Sequence, residues 1–294
     1  MTKRHVRLFA VAASAALVLS ACGGDGDTDA DAGDDGTTAA EDGGDAGEGG
    51  ADGSIRIGIK FDQPGLGLRD GDTYSGLDVE MAKGVAERLG YSEDQIEWVE
   101  SPSPQRETML ETGQVDLIFA TYSITDSRKE RVSFAGPYFI AGQGLLVRAD
   151  DDSINGPEDM EGKILCSVAG STPAQRVADE YPGVELQEYN TYSECLPALL
   201  SGTIDAITTD DTILAGYAAQ EQYAGQLKLA GEPFSEERYG VGTAKGSELC
   251  EQVNEAITAL IDDGAWEQAV TDTLGPADYT PGPGNPPEVN EDCA

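Results

Sequence analysis

The sequence predicts an α/β protein made of two similar lobes, and three observations support this fold class. From Ser54 onward, short apolar segments alternate with amphipathic ones. The order strand, helix, strand, helix, strand occurs twice, and two further extended apolar segments lie where the chain would pass between the repeats. Alternation of this kind is typical of parallel sheets with helices on both faces.

The elements of the first repeat follow from residue composition and spacing. Short segments rich in Ile, Val, Leu and Phe predict buried strands, and apolar residues at helical spacing predict the helices between them. In chain order we expect a strand at 55–59, a helix at 78–89, a strand at 96–99, a helix at 105–112 and a strand at 117–120.

The second repeat has the same order. We expect a strand at 163–168, a helix at 173–180, a strand at 184–189, a helix at 194–200 and a strand at 204–208. The extended segments 144–148 and 239–244 are expected to cross between the lobes, and a last helix at 247–274 to pack back on the first lobe. We therefore assign 54–146 and 242–280 to lobe 1, 147–241 to lobe 2 and 281–294 to a C-terminal tail.

The charge of the chain excludes some partners. A formal net charge of −37 argues against nucleic acid and against an anionic lipid surface. Eleven acidic residues, but no basic or aromatic ones, fall within residues 22–53. Such a composition cannot form a packed core, so this segment is predicted to be a disordered, extended tether.

The N-terminus has the features of an export signal. Basic residues, an apolar run at 8–19 and small residues ending at Ala21 make up its three parts. The run is too short to span a membrane stably. The order Leu19-Ser20-Ala21-Cys22 resembles the lipobox of bacterial lipoproteins, which implies cleavage after residue 21 and lipid attachment to Cys22 at the outer face of the cell membrane. The alternative is an ordinary cleaved signal followed by a chance cysteine.

Four further cysteines suit two disulfides in an exported protein: Cys166, Cys195, Cys250 and Cys293. Three pairings are possible, and proximity in sequence favours Cys166–Cys195 with Cys250–Cys293. A metal site is poorly supported, because the sequence has no CxxC and its only histidine, His5, lies in the signal.

The segment 116–134, DLIFATYSITDSRKERVSF, changes from a predicted buried strand to hydroxyl residues and Arg128. Ligands of open α/β sheets bind outside the carboxyl ends of the strands, and a guanidinium pairs well with a carboxylate. The segment therefore indicates a carboxylate receptor. The alternative is a helix start, with Thr125 or Asp126 as N-cap and Arg128 on a solvated basic face.

Several motifs together resemble one family. Gly76-Leu77-Asp78-Val79-Glu80-Met81, continuing to Leu89, resembles the signature of the bacterial extracellular solute-binding proteins of family 3, which serve polar amino acid ABC transporters. SITDSRKERVSFAGPY and Ala169-Gly170-Ser171-Thr172 fit the same family, over about residues 54–275. The resemblance implies a type II periplasmic-binding-protein-like fold, with two parallel-core sheets joined by two crossing strands. It also implies a monomer without a cofactor that closes on an amino acid and hands it to permease subunits.

The family pattern implies roles for individual residues. Thr121 and Ser123 would hydrogen-bond the ligand, Arg128 would clamp its α-carboxylate, and Asp210 would pair with its α-ammonium group. Ser171 and Thr172, at a helix start, would add donors to the same carboxylate. As alternatives, Ser171 or Thr172 serves only as a helix N-cap, and Asp210 only as a capping residue beside Asp211.

Two more cations point to an acidic ligand. Arg106 lies where many family members have an aromatic residue, and Lys60 ends the first strand. A buried carboxylate needs a partner, so these cations resemble the arrangement in glutamate-binding lipoproteins of actinobacteria. Alternatively, they pair with Glu107 and Asp62. Ser103 and Thr191 complete the expected ligand-binding residues.

We therefore expect the extracellular binding component of an ABC importer for an acidic amino acid, with glutamate as the first choice. Glutamine, aspartate or another polar amino acid is the alternative ligand. A cleft enzyme of the dehydratase type would need a general acid or base, for which Asp210 and Glu194 are candidates, but the sequence has no cofactor motif and no catalytic histidine. A ligand sensor is the other alternative.

Overall fold

The structure is a computed structural model that describes residues 53–294. The predicted signal at 1–21, the lipidation site Cys22 and the rest of the predicted tether up to residue 52 lie outside the described residues. From residue 53 onward, no helix has the length and apolarity needed to cross a bilayer.

The strands and helices follow the predicted alternation closely. The strands are β1 (Ile55–Ile59), β2 (Asp62–Gln63), β3 (Gly67–Asp70), β4 (Thr73–Ser75), β5 (Ile96–Glu100), β6 (Leu117–Ile118), β7 (Val132–Ala141), β8 (Gln143–Arg148), β9 (Ile164–Val168), β10 (Glu185–Tyr189), β11 (Ala206–Asp210), β12 (Leu227–Ala230) and β13 (Glu237–Ala244). The helices are α1 (Leu77–Arg88), α2 (Arg106–Glu111), α3 (Asp126–Lys129), α4 (Thr172–Glu180), α5 (Cys195–Leu200), α6 (Asp211–Ala218), α7 (Leu249–Asp262) and α8 (Ala265–Leu274).

The first lobe is built on a sheet with the strand order β5-β1-β6-β13-β7. β1 runs parallel to β5 and β6, whereas β13 runs antiparallel to β6 and β7. Ile57, at the centre of the sheet, pairs with Trp98 on one side and Leu117 on the other, and its side chain is fully buried. The carboxyl ends of β1 and β6 therefore meet at one edge, where the polar loop after residue 120 begins.

The second lobe is built on a sheet with the order β10-β9-β11-β8-β12. β9 runs parallel to β10 and β11, and β8 runs antiparallel to β11 and β12. Asp210 ends β11, and the turn before Thr172 follows β9, so both lie at the carboxyl edge of this sheet. The predicted two-lobed α/β fold is confirmed, and each sheet combines parallel strands at one side with antiparallel strands at the other.

The chain crosses between the lobes twice. It passes from β7 to β8 through Gly142, and it returns from β12 to β13 through residues 231–236. The structure thus corrects the expected crossing segments: 144–148 lies in β8 of the second sheet, and 239–244 lies in β13 of the first, because pairing within each sheet takes up both. β7 and β13 are antiparallel neighbours, with Glu237 opposite Ala141. The two crossings therefore lie side by side, which is the arrangement expected of a hinge.

The structure corrects the prediction of one late helix at 247–274. The segment forms two helices, α7 and α8, because Gly264 adopts a left-handed conformation with φ of 83°. Such a φ is easy for glycine and ends the α-helical path. Both helices pack against α1, and α7 also packs on β7.

Two disulfides join distant segments within the lobes. Cys166 on β9 is bonded to Cys195 at the start of α5, and Cys250 on α7 is bonded to Cys293 in the C-terminal tail. This is the pairing that sequence proximity favours. The tail is also held by Glu291, whose carboxylate pairs with Lys129 at 2.6 Å and with Arg238 at 2.9 Å.

Candidate functional site

A polar cavity lies between the two lobes. Its volume is about 10 Å³, so the lobes are closed on each other there. The lining contains eight of the ten predicted ligand-binding residues, and it consists of Gln63, Ser103, Arg106, Thr121, Ser123, Arg128, Ser171, Thr172, Pro173, Tyr192, Thr209, Asp210 and Ile213. Two of the predicted residues, Lys60 and Thr191, are not part of this lining.

The loop after β6 is anchored by a buried aspartate. Thr121 has φ of 46°, which is unusual for a β-branched residue. Its backbone N–H donates to Asp78 Oδ2 at 3.0 Å, and the hydroxyl of Tyr138 donates to Asp78 Oδ1 at 2.6 Å. Burial raises the pKa of Asp78, which is 0% exposed, to about 6. Asp78 therefore holds the strained turn that brings Thr121 to the cavity.

Arg128 reaches across the cleft from the first lobe to the second. Its Nη1 donates to the carbonyl of Ser123 at 2.8 Å and to the hydroxyl of Thr172 at 2.9 Å. Thr125 is the N-cap of α3 and accepts from the backbone N–H of Arg128 at 3.3 Å. The helix start and the cleft-facing guanidinium thus occur together, because a short capped helix places Arg128 at the cleft.

The start of α4 supplies hydroxyl groups from the second lobe. Ser171 is the N-cap, and its Oγ accepts from the backbone N–H of Ala174 at 3.2 Å. Ser171 therefore has the capping role that the alternative assigned to it while it also lines the cavity. Thr172, the first helical residue, directs its hydroxyl to Arg128. A helix N-terminus at this place favours a negatively charged ligand group.

Asp210 presents a buried carboxylate to the cavity. It is 2% exposed, its Oδ2 accepts from the hydroxyl of Tyr239 at 2.6 Å, and its Oδ1 has no hydrogen-bond partner within the described chain. Burial, together with the charge of Glu237, raises the pKa of Asp210 well above its ordinary value. Its side chain does not cap α6, whereas Asp211 Oδ1 accepts from the backbone N–H of Thr212 at 2.9 Å. The free oxygen of Asp210 is thus available to a cationic group of a ligand.

Arg106 is a buried cation that forms no ion pair with the described residues. It is 3% exposed, its Nε donates to the carbonyl of Ser101 at 3.5 Å, and no acidic oxygen of residues 53–294 lies within 4.0 Å of its guanidinium. Its sequence neighbour Glu107 pairs instead with Arg128 Nε at 3.3 Å. Burial and the charge of Arg128 lower the pKa of Arg106. A negatively charged ligand group would relieve both costs.

Lys60 and Thr191 take up other contacts. Lys60 is 3% exposed, and its Nζ lies 3.8 Å from Asp62 Oδ1, which is the pairing that the alternative foresaw. Burial lowers the pKa of Lys60, and the nearby charge of Arg106 acts in the same direction. Thr191 belongs to a turn, where its backbone N–H donates to Glu194 Oε2 at 3.2 Å.

Several residues of the cavity are missing from the sequence-based expectation. Gln63 and Tyr192 line it from opposite lobes, and Thr209 adds a buried hydroxyl that has no partner within the described chain. Thr209 could have been found, because it directly precedes Asp210 at a predicted strand end. Gln63 lies on the two-residue strand β2 and Tyr192 in the bend before α5, so their place in the cavity depends on how the lobes close.

The charges of the lining define what the cavity can bind. Two arginines and one aspartate face it. This set complements a small ligand that carries two carboxylates and one ammonium group. The described residues contain no cluster of His, Cys, Asp and Glu suited to a metal ion.

Comparison with known proteins finds a family of solute-binding proteins and relatives that are named for amino acid binding. The family described as "Bacterial extracellular solute-binding proteins, family 3" matches residues 55–275. The chain is 50% identical over 235 residues to the "Glutamate-binding protein GluB" of Corynebacterium glutamicum, which covers 76% of this chain and 79% of that protein. It is 45% identical over 290 residues to the protein of the same name from Corynebacterium efficiens, covering 92% and 93% of the two chains.

A further relative and a solved structure bind other amino acids according to their descriptions. A "Glutamine-binding protein" of Geobacillus stearothermophilus is 38% identical over 196 residues, which is 66% of this chain and 73% of that protein. The solved structure of "An ancestral arginine-binding protein bound to arginine" superposes with a TM-score of 0.71 at 32% identity, covering 76% of this chain and 99% of that one. The matched relatives and structures are solute-binding proteins rather than enzymes.

Proposed function

Because the chain belongs to family 3 of the bacterial extracellular solute-binding proteins, we propose that it binds glutamate between its two lobes and delivers it to an ABC importer. The charge set of the cavity carries this proposal: two arginines and one aspartate match the two carboxylates and one ammonium group of glutamate. The names of the two Corynebacterium relatives support the same ligand.

Each charged group of glutamate has a partner in this assignment. The α-carboxylate binds Arg128 and Thr172, which already lie 2.9 Å apart across the cleft. The α-ammonium group binds the free Oδ1 of Asp210. The side-chain carboxylate binds Arg106, which has no acidic partner of its own within the described chain. Charge-assisted hydrogen bonds of this kind are among the stronger ones in proteins.

Lys60 takes a second role in this assignment. It lies close enough to Arg106 for their charges to repel. Asp62 pairs with Lys60 but not with Arg106. A carboxylate bound at Arg106 would therefore be favoured by Lys60 as well, although Lys60 does not line the cavity. Ser103 and Ser123 add polar side chains to the cavity lining. Thr191 lies outside the lining, but its hydrogen bond to Glu194 stabilises the turn that carries Tyr192.

Attachment to the membrane through Cys22 is part of the proposal. An acidic tether of about thirty residues between a lipidated cysteine and the binding domain would let the domain reach a permease at the membrane surface. The name of one relative, the "ABC transporter glutamine-binding protein GlnH" of Bacillus subtilis, supports a partnership with such a transporter.

Calorimetry of the purified protein with glutamate, aspartate, glutamine and arginine tests the proposal. We expect glutamate to bind most tightly and arginine least, because a cationic side chain would face Arg106. Glutamine is the second candidate, favoured by the name of the Geobacillus relative. Tighter binding of glutamine than of glutamate would replace the proposed ligand, and no binding of any of the four would place the function outside these amino acids.

A further inference from the structure

One aromatic ring lies beside both arginines of the cavity. The guanidinium carbon of Arg106 is 5.0 Å from the centroid of the Tyr122 ring, and that of Arg128 is 4.9 Å from it. Tyr122 is fully buried and is not part of the cavity lining among the described residues. Its ring attracts both cations, which otherwise repel each other.

The hydroxyl of Tyr122 and the guanidinium of Arg128 contact the same oxygen of Glu107. The hydroxyl donates to Glu107 Oε1 at 2.8 Å, and the same oxygen is 3.3 Å from Arg128 Nε. Burial and the Glu107 carboxylate raise the pKa of Tyr122, so the hydroxyl remains protonated and can donate. Glu107 follows Arg106 directly on α2, and its charge acts on Arg106 too. Its carboxylate could therefore pair with either arginine, and in the structure it pairs with Arg128.

We propose that Tyr122 is a specificity-determining positioning residue, whose hydroxyl holds Glu107 on Arg128 and so leaves Arg106 free for the side-chain carboxylate of the ligand. This inference rests on the proposed function, since it requires Arg106 to face an acidic side chain. Without the hydroxyl, Glu107 loses one of the two bonds that hold it at Arg128, so it can turn to Arg106 and compete with that carboxylate. A ligand with a neutral side chain loses nothing by this competition.

The substitution Tyr122→Phe tests the inference, because it keeps the ring and removes the hydroxyl. We expect the dissociation constant for glutamate to rise about tenfold, the effect of losing one well-placed polar contact. The constant for glutamine should change less than about threefold, because Arg128 keeps its bonds to Ser123 and Thr172. The readout is the ratio of the dissociation constant for glutamine to that for glutamate, so a higher ratio means a stronger preference for glutamate. A general loss of stability would weaken both ligands alike and leave this ratio unchanged.

A second substitution provides a rescue. In the double variant Tyr122→Phe/Glu107→Gln, the neutral amide no longer competes for Arg106, and we expect the glutamate preference to return to the level of Glu107→Gln alone. Tyr279→Phe is the matched control. Its hydroxyl also donates to a carboxylate, Asp211 Oδ2 at 3.0 Å, but it does not contact either arginine, so the ratio should stay as in the wild type.

The outcomes separate this inference from the function on which it rests. If the wild type shows no preference for glutamate, the proposed function fails. If Arg106→Ala keeps that preference, the assignment of Arg106 to the side-chain carboxylate fails, and the role of Tyr122 fails with it. If both hold and Tyr122→Phe leaves the ratio unchanged, only the role of Tyr122 is overturned. Should Tyr122→Phe not fold, Glu107→Gln decides: a ratio equal to or above that of the wild type supports the inference, and a lower one overturns it.

Discussion

The phenolic oxygen of Tyr217 lies 2.6 Å from the backbone carbonyl of Asp62 and 3.0 Å from its Oδ2. Tyr217 is on α6 of the second lobe, whereas Asp62 is on β2 beside the first. Ser193, also of the second lobe, lies 3.3 Å from the same Oδ2. These bonds join the lobes without any ligand atom, so they stabilise the closed arrangement itself.

Removing this hydroxyl should weaken binding without changing the choice of ligand. For Tyr217→Phe we expect a loss of about 0.5–1.5 kcal/mol for glutamate and glutamine alike, because the closed state loses one hydrogen bond whatever it holds. Calorimetry of both ligands measures it. Unequal losses would mean that Tyr217 acts on the ligand and not on closure.

Gly216, the neighbour of Tyr217, allows the lobes to approach. A Cβ at this position would overlap the carbonyl of Pro64 in the closed structure. For Gly216→Ala we expect the melting temperature of the ligand-free protein to rise slightly, because alanine favours a helix, while affinity for every ligand falls at least about a hundredfold.

Gly84→Ala on α1 is the matched control for this substitution. The atoms nearest to the added Cβ would be those of the Leu260 side chain, at 2.7 Å and within the first lobe. It should change stability but leave ligand affinity close to that of the wild type. Normal affinity in Gly216→Ala would show that the lobes close differently when they bind.

The buried carboxyl of Asp78 should make stability depend on pH. Its pKa is raised by burial to about 6 in the folded chain, against about 3.9 in an unfolded one. The folded state therefore holds this proton more tightly, so the contribution of Asp78 to the free energy of unfolding falls as pH rises from about 4 to about 6, by about 3 kcal/mol in total.

Urea unfolding of the wild type and of Asp78→Asn at pH 4, 5, 6 and 7 measures this contribution. Other buried carboxyls, Asp210 among them, remain in both proteins, so the difference between the two curves isolates Asp78. We expect the wild type to lose stability relative to the variant as pH rises. A constant difference would mean that the Asp78 carboxylate is fully balanced by its hydrogen bonds from Thr121 and Tyr138.

The substitution Arg106→Ala should affect glutamate far more than glutamine. Only glutamate would be left with an ionised group lacking its partner, at a cost of about 2–4 kcal/mol. Lys60→Ala should act in the same direction but less, because Lys60 is not part of the cavity lining. Calorimetry in one buffer measures the binding of glutamate and glutamine to the wild type and to both variants. Equal losses of affinity for the two ligands in Arg106→Ala would mean that Arg106 binds the α-amino acid frame that both ligands share.

Membrane attachment depends on Cys22 in our proposal. We expect the wild-type protein in the membrane fraction of a Gram-positive host, and Cys22→Ala in the soluble or secreted fraction, since the thiol is the site of the lipid. Fractionation followed by immunoblotting gives the result. Retention of the variant at the membrane would count against the lipid anchor.

The sequence predicts those parts of the fold and site that depend on local pattern. The alternating strands and helices are local, and so are the hydroxyls and arginines that follow strand ends, such as Ser123 and Arg128. The small sheet of β2, β3 and β4 is absent from the expectation because its strands have only two to four residues. The break at Gly264 depends on one backbone angle within an otherwise helical pattern.

Features that depend on contact between the lobes could not be predicted from local sequence patterns. Gln63 and Tyr192 reach the cavity only through closure of the lobes, and neither belongs to a recognisable motif. The pairing of Glu107 with Arg128 instead of its neighbour Arg106 depends on Tyr122, which comes from another strand end. The sequence identifies both arginines but not which of them pairs with Glu107.

The fastening of the C-terminal tail has a practical consequence for sensor construction. Cys293 is bonded to α7, and Glu291 pairs with Lys129 of α3 and Arg238 of β13, so Ala294 is carried by the first lobe. A fluorophore or surface linker attached after Ala294 would report on that lobe or immobilise it, and would leave the second lobe free to move. A dye pair for following lobe closure therefore needs its other member on the second lobe, for instance at the partly exposed Lys228 of β12.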